Sequence, residues 1–255
     1  MDYRIHLNFA TAAVVVLIAA FASFLTSTVV AARAYVERGA QVSRGDQTIV
    51  VKGSTRKRIR SDRAVWRIIV SGEAPELTEA FSILDSGVSK VKTFLQERGF
   101  TQPQIGLGSI DTTTHYLRDK KIAQTRQVES YLLNRTIFVT TEDVDRVQQA
   151  VGEVTQLIEA GIRVDSCMPE YHFRNLADLK IELMSAASAD ARLRAEKIAQ
   201  AAGCRIAEVR SARMGVLQIT QPYSTDVSDY GIHDTSTIDK DVTAVVSVTF
   251  QIEAN

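Results

Sequence analysis

The stretch "YLLNRTIFVTTEDVDRVQQAV" (131–151) changes its period halfway along. Tyr131, Leu133, Ile137 and Val139 alternate with Asn134, Thr136 and Thr140, the two-residue repeat of a half-buried strand. From Val144 onward the apolar residues step by three and four, through Val147, Val151, Val154 and Ile158, which predicts a helix with one buried face. The acidic residues Glu142 and Asp143 cap the junction, and Gly161 supplies the stop. A long strand feeding an amphipathic helix is therefore the local unit of this chain.

Reading outward, residues 105–116 and 127–141 predict two long strands around a polar turn of Arg118, Asp119, Lys120 and Lys121. Upstream, Leu77, Phe81, Leu84, Val88, Val91 and Leu95 mark a second helix, opened by Pro75 and ended by Gly99. Before it lie a short strand at 48–52 and a second at 64–71, with Trp66, Ile68 and Val70 on one face. Downstream, 163–173 reads as a strand, and Asn175 caps a long helix that runs to Ala202 and ends at Gly203. Asp190–Arg194 and Arg192–Glu196 are four apart on that helix, spacings that form ion pairs on a solvated face. A strand at 205–216, a Ser-, Thr- and Asp-rich loop at 218–240 expected to be mobile, and a clear alternating strand at 242–252 complete the order β-β-α-β-β-α-β-α-β-β. This predicts an α+β domain with an antiparallel or mixed sheet and three packed amphipathic helices.

The N-terminus differs from the rest. Residues 7–32 contain no formal charge, and as a helix would span about 39 Å against the roughly 30 Å of a hydrocarbon core. Signal peptides have shorter apolar stretches of roughly 7–15 residues behind a basic start. Length thus favours a retained single-pass anchor, while an A-x-A-like site at Ala32-Arg33-Ala34 keeps cleavage open. The division expected is a tail at 1–6, a transmembrane helix at 7–34, a linker at 35–47 and one domain at 48–253. Ala19, Ser23, Ser27 and Ala31 form a small-residue stripe suited to helix packing in a membrane. Arg33, Arg38 and Arg44 follow the segment, and counted literally they place the domain in the cytoplasm. Large domains translocate despite such charge, so the count leaves the side open.

The 255 residues carry 30 Lys+Arg and 30 Asp+Glu, a balance that argues against a nucleic-acid partner. Two cysteines, Cys167 and Cys204, are too few for a disulfide scaffold and leave one bond or none. His6, His115, His172 and His233 show no metal-ligand spacing. There is no P-loop, nucleophile elbow or dinucleotide fingerprint, and the fragment Gly106-Leu107-Gly108-Ser109 reads as a bulge or close packing. The expectation is a protein that is not an enzyme and needs no cofactor or metal.

The zero charge is a sum of unlike pieces. Residues 52–67 hold Arg56, Lys57, Arg58 and Arg60 within a basic run, read as a turn between the first two strands. Residues 226–241 hold Asp226, Asp229, Asp234 and Asp239 within an acidic one. These are candidates for complementary contact between subunits, or for basic contact with lipid headgroups; two solvated loops are the plain alternative.

The strings "TIVVKGS" (48–54), "YLLNRTIFVTTEDVDRVQQAV" (131–151), "SADARLRAEKIAQAAG" (188–203) and "VVSVTFQI" (245–252) together resemble the SIMPL-domain family over 47–253. The resemblance implies an α+β domain, usually exported by bacteria, with some members forming ring- or barrel-like homo-oligomers and a link to stress tolerance. It carries over no catalytic residue. The chain departs from the family at Ser61-Asp62, where many members have Pro-Asp, and in its long N-terminal segment. The expectation is a homo-oligomeric, non-catalytic envelope protein on the bacterial inner membrane, with its domain in the periplasm. The alternative is a ligand- or peptide-binding sensor in which loop 218–240, with Tyr223 and Tyr230, is the lid.

Overall fold

A computed structural model describes residues 18–34, 47–117 and 127–254. The expected turn at Arg118–Lys121, most of the linker and residues 7–17 of the expected anchor lie outside them. Among the described residues there are ten strands: β1 (Thr48–Arg60), β2 (Arg63–Ala74), β3 (Ile105–Tyr116), β4 (Val128–Thr141), β5 (Arg163–Ser166), β6 (Glu170–His172), β7 (Cys204–Met214), β8 (Gln218–Thr220), β9 (Ile232–His233) and β10 (Asp239–Ala254). Also among the described residues, a helix at 18–34 precedes four more: α1 (Leu77–Glu97), α2 (Val144–Glu153), α3 (Thr155–Glu159) and α4 (Leu176–Ala201). One sheet runs β3-β4-β2-β5, with β6 also on β2, and its described pairs are antiparallel. The other runs β1-β10-β8-β9, with β7 also on β10; β8 and β9 are parallel while β8 and β10 are antiparallel. The expected α+β class with antiparallel and mixed sheet is what the chain adopts.

The chain forms two compact units. The larger comprises Ser54–Ser188 and Met214–Val246. Its core is built on β2, whose alternate residues Ala64, Trp66, Ile68 and Val70 are fully buried against Leu84, Val88, Val91 and Leu95 of α1. Each Ile, Val or Leu side chain among them contributes about 1.5–3 kcal/mol on leaving water. The indole Nε1 of Trp66 donates to the Ser166 hydroxyl at 3.0 Å, so the one polar atom of this buried ring is satisfied. A second cluster joins Ile59, Leu179, Leu183, Ile219, Val242 and Ala244.

The smaller unit comprises Met1–Gly53, Ala189–Arg213 and Ser247–Asn255. Within it Ala191, Ala195 and Ala199, spaced by four on α4, are buried, which lets the helix backbone lie close to what it covers. The alanine-rich repeat is therefore a packing surface. On the exposed side Arg194 meets Asp190 at 2.8 Å and Arg192 meets Glu196 at 2.9 Å, as their spacing predicts. Gly99, Gly161 and Gly203 take positive φ (81°, 76° and 73°) at the three expected helix stops.

Five details correct the sequence reading. Strand β1 runs to Arg60, so the basic run 52–67 is strand, and only Ser61 and Asp62 separate β1 from β2. Leu77 and Phe81 are exposed; the buried stripe of α1 begins at Ala80 and Leu84. The 144–158 helix breaks at Val154 into α2 and α3, which buries Leu157 and leaves Ile158 exposed, so the domain's described α-helices after β1 number four rather than three. The 163–173 strand divides into β5 and β6 around residues 167–169, where Pro169 lacks a ladder donor. Segment 218–240 contains β8 and β9 and is tied by its own polar side chains.

Candidate functional site

Residues 18–34 are helical, and every one of them is exposed. Ile18, Phe21, Phe24, Leu25, Val29 and Val30 have exposed side chains. Three hydroxyls of this helix turn inward on its own backbone: Ser23 donates to the Ala20 carbonyl at 2.9 Å, Thr26 to Ala22 at 3.0 Å and Thr28 to Phe24 at 2.8 Å. A hydroxyl bonded this way no longer needs water, which is what an apolar surround requires. Ala19, Ser23, Ser27 and Ala31 lie on this helix at the expected four-residue spacing. Among the described residues no helix is long and apolar enough to cross a membrane; the described part of this one has 17 residues.

Four of the five basic residues of β1, all but Lys52, find partners in their own chain. Arg56 donates to the Thr243 hydroxyl at 3.2 Å, Lys57 pairs with Glu182 at 2.6 Å, and Arg60 pairs with Asp145. Arg58 makes the most elaborate contact. Its guanidinium donates to both carboxylate oxygens of Asp241, at 2.9 and 3.2 Å, and to the Tyr223 hydroxyl at 3.1 Å, while lying 4.4 Å from that ring's centre. Asp241 is nearly buried, and the Arg58 hydrogen bond holds its carboxyl below the usual range against the opposing effect of burial. Tyr223 has φ of 66°, a strained conformation for a residue with a side chain, and its amide is fixed by Asp241 at 3.1 Å. Basic and acidic runs thus do meet, through Arg58 and Asp241, but within one chain.

Of the acidic candidates, Asp234 is a loop staple. It accepts from the Ser236 and Thr237 hydroxyls and from Lys240 Nζ at 3.1 Å, and Lys240 is almost wholly buried. Burial alone raises the Asp234 carboxyl, and these donors outweigh it and carry it well below the ordinary range. Burial lowers the Lys240 amine against the pull of Asp234. Asp226 bonds only Ser224 nearby, and Asp229 and Asp239 are exposed without ion pairs among the described residues.

Tyr223 and Tyr230 are 80% and 98% exposed; Tyr223 lies against the Arg58 guanidinium, and neither tyrosine lines the void beside the loop. The void beside this loop, between Ile59, Phe173, His233 and Lys240, measures about 10 Å³, no more than one water probe occupies. A groove of about 740 Å³ in the larger unit lies elsewhere, between α1 and β5, and is lined by Ser71, Glu73, Ser86, Lys90 and Arg163. Glu73 accepts from Ser130 at 2.7 Å and Arg163 at 2.6 Å, and these partners, Ser130 first, hold its carboxyl down. The groove holds no histidine or cysteine to activate its serines.

Both cysteines are free, and no group of metal-ligating side chains converges among the described residues. Gly108 sits at a bulge between Leu107 and Ile110, where a Cβ would stand 3.2 Å from the Thr136 carbonyl, as the glycine fragment suggests. The strand character of 53–60 escapes the sequence reading because the basic residues at 56–58 and 60 mask its alternation; Ile59 is the one buried apolar side chain in it.

Residues 49–250 match the family model SIMPL, described as a protein of unknown function (DUF541). The chain belongs to the SIMPL family. No curated protein matches it. The SIMPL match begins inside β1 and ends inside β10, so the N-terminal helix stands before the family's domain.

Proposed function

We propose that this SIMPL chain is a membrane-anchored, non-catalytic module that assembles with its own copies at the bacterial envelope. The observation that carries the reading is the exposed apolar helix 18–34, which continues an uncharged run reaching back to residue 7. Water is a poor solvent for such a surface, and a bilayer is a good one. Assembly is supported by β3, a twelve-residue edge strand, mostly exposed, with no lysine or proline to discourage pairing. Pairing through an open edge gives main-chain hydrogen bonds between copies. The likeness to exported, ring-forming relatives favours a periplasmic domain and a link to stress tolerance. The Arg58–Asp241–Tyr223 contact reads in this account as internal bracing.

Alkaline-carbonate extraction of cell membranes tests the anchor: the full chain stays with the membrane pellet, and release into the supernatant refutes it. Accessibility of Cys167 or Cys204 to an impermeant thiol reagent in intact spheroplasts tests the side. Labelling before lysis agrees with a periplasmic domain, and labelling only after lysis contradicts it.

A further inference from the structure

In the smaller unit, Val50 of β1 and Leu193 and Ile198 of α4 line one shallow groove of about 550 Å³, together with Val51, Lys52 and Lys197. Val50, Leu193 and Ile198 are 65%, 54% and 51% exposed, and they lie off the buried alanine stripe of the helix. Lys52 and Lys197 have no carboxylate partner among the described residues. The other charges of this part of α4 cancel internally, as Arg192 with Glu196 and Arg194 with Asp190. The site is therefore three exposed aliphatic side chains flanked by two unspent cations.

We infer that this face docks on the surface of an acidic bilayer, the aliphatic residues entering the headgroup boundary and Lys52 and Lys197 meeting lipid phosphates. The inference rests on the proposed anchor, which confines the face to the membrane: the chain between residues 34 and 48 spans at most roughly 50 Å when fully extended. Charge selects this occupant over a second copy of the apolar N-terminal helix. That helix carries only Arg33 among its described residues and offers the lysines no anion, whereas an acidic leaflet offers many. The two kinds of side chain then act together, as in surface-lying amphipathic segments.

The test uses the full chain in vesicles with brominated acyl chains, which quench tryptophan on contact. Trp66, the chain's single tryptophan, is fully buried in the other unit and serves as the unquenched reference. Ile198→Trp is expected to be quenched at least threefold more in phosphatidylglycerol-containing vesicles than in pure phosphatidylcholine. Adding Lys52→Glu and Lys197→Glu removes that difference, each lysine contributing about fivefold in partitioning. No quenching, or equal quenching in both lipids that survives the charge reversal, overturns the inference. So does emission at position 198 that blue-shifts with protein concentration in detergent alone, because a second copy then covers the face. Carbonate-resistant flotation of the same vesicles reads the anchor separately. Chain that fails to float refutes the anchor alone, since quenching of chain added to preformed acidic vesicles at low salt still reads the face.

Discussion

Gly72 of β2 is where α1 comes closest to the sheet, and Gly72→Ala is the sharpest test of the packing described above. A Cβ built at Gly72 stands 2.4 Å from the Ala80 carbonyl oxygen, 2.6 Å from the Leu84 nitrogen and 3.0 Å from the Leu84 Cα. All three are backbone atoms, so no side chain can rotate away, and α1 must retreat by roughly 1 Å to restore contact near 3.5–4.0 Å. Retreat loosens the seating of Ala80, Leu84 and Val88 in the core. Overpacking costs typically 1–3 kcal/mol, and the rigid partner puts this site at the upper end, about 3 kcal/mol. For a domain of this size that lowers Tm by about 6–12 °C. Urea unfolding followed by Trp66 fluorescence measures it directly. Gly106→Ala in β3 is the control, because its Cβ meets nothing nearer than Phe138 Cβ at 3.7 Å. Removing backbone freedom there is neutral or stabilising by up to about 1 kcal/mol. If Gly72→Ala and Gly106→Ala differ by less than about 0.5 kcal/mol, the close approach of α1 to β2 is wrong.

The Ser61 hydroxyl is buried without a hydrogen-bond partner, so Ser61→Ala raises stability by about 1 kcal/mol in the same urea titration, and a loss of that size argues against the burial. Asp234→Asn leaves Lys240 buried without its anion and costs about 3 kcal/mol at neutral pH, while an effect near zero contradicts the staple. Because the folded-state carboxyls of Asp234 and Asp241 are held low, their stabilisation is complete above the unfolded carboxylate pKa near 4 and is lost as pH falls through the lower folded values. Arg58→Gln therefore flattens the acid limb of the stability–pH profile, read as urea midpoints between pH 2 and 7; an unchanged limb rejects the Arg58–Asp241 pair as its source. Paired Ile110→Lys and Thr113→Lys substitutions on the open β3 edge reduce the oligomer to smaller species, and undiminished assembly moves the interface elsewhere.

The sequence states the periodic parts of this fold well and its cancellations poorly. The alternation at 64–71 and 242–252, the glycine stops and the acidic entry to α2 all translate into the elements they predict, since each signal is local. The side-chain oxygen of Asp143 accepts from the Arg146 amide at 3.0 Å, a cap visible in the string itself. Charge was harder to read because its meaning depends on pairing across the sheet. Arg58 and Asp241 lie 183 residues apart, and only strand pairing brings them to 2.9 Å. The same holds for Lys57 with Glu182 and Arg60 with Asp145. A segregated charge run therefore looks like an intermolecular surface until the partners within the chain are known. Leu193 and Ile198 were legible only as residues left over once the four-residue alanine stripe was assigned.

Light scattering of the full chain purified in mild detergent, with protein and detergent masses resolved separately, weighs the central claim in one measurement. The account predicts a discrete protein mass several times the 28.1 kDa of one chain, wrapped in a detergent belt. A particle of 28.1 kDa that binds no detergent would contradict both the anchor and the assembly.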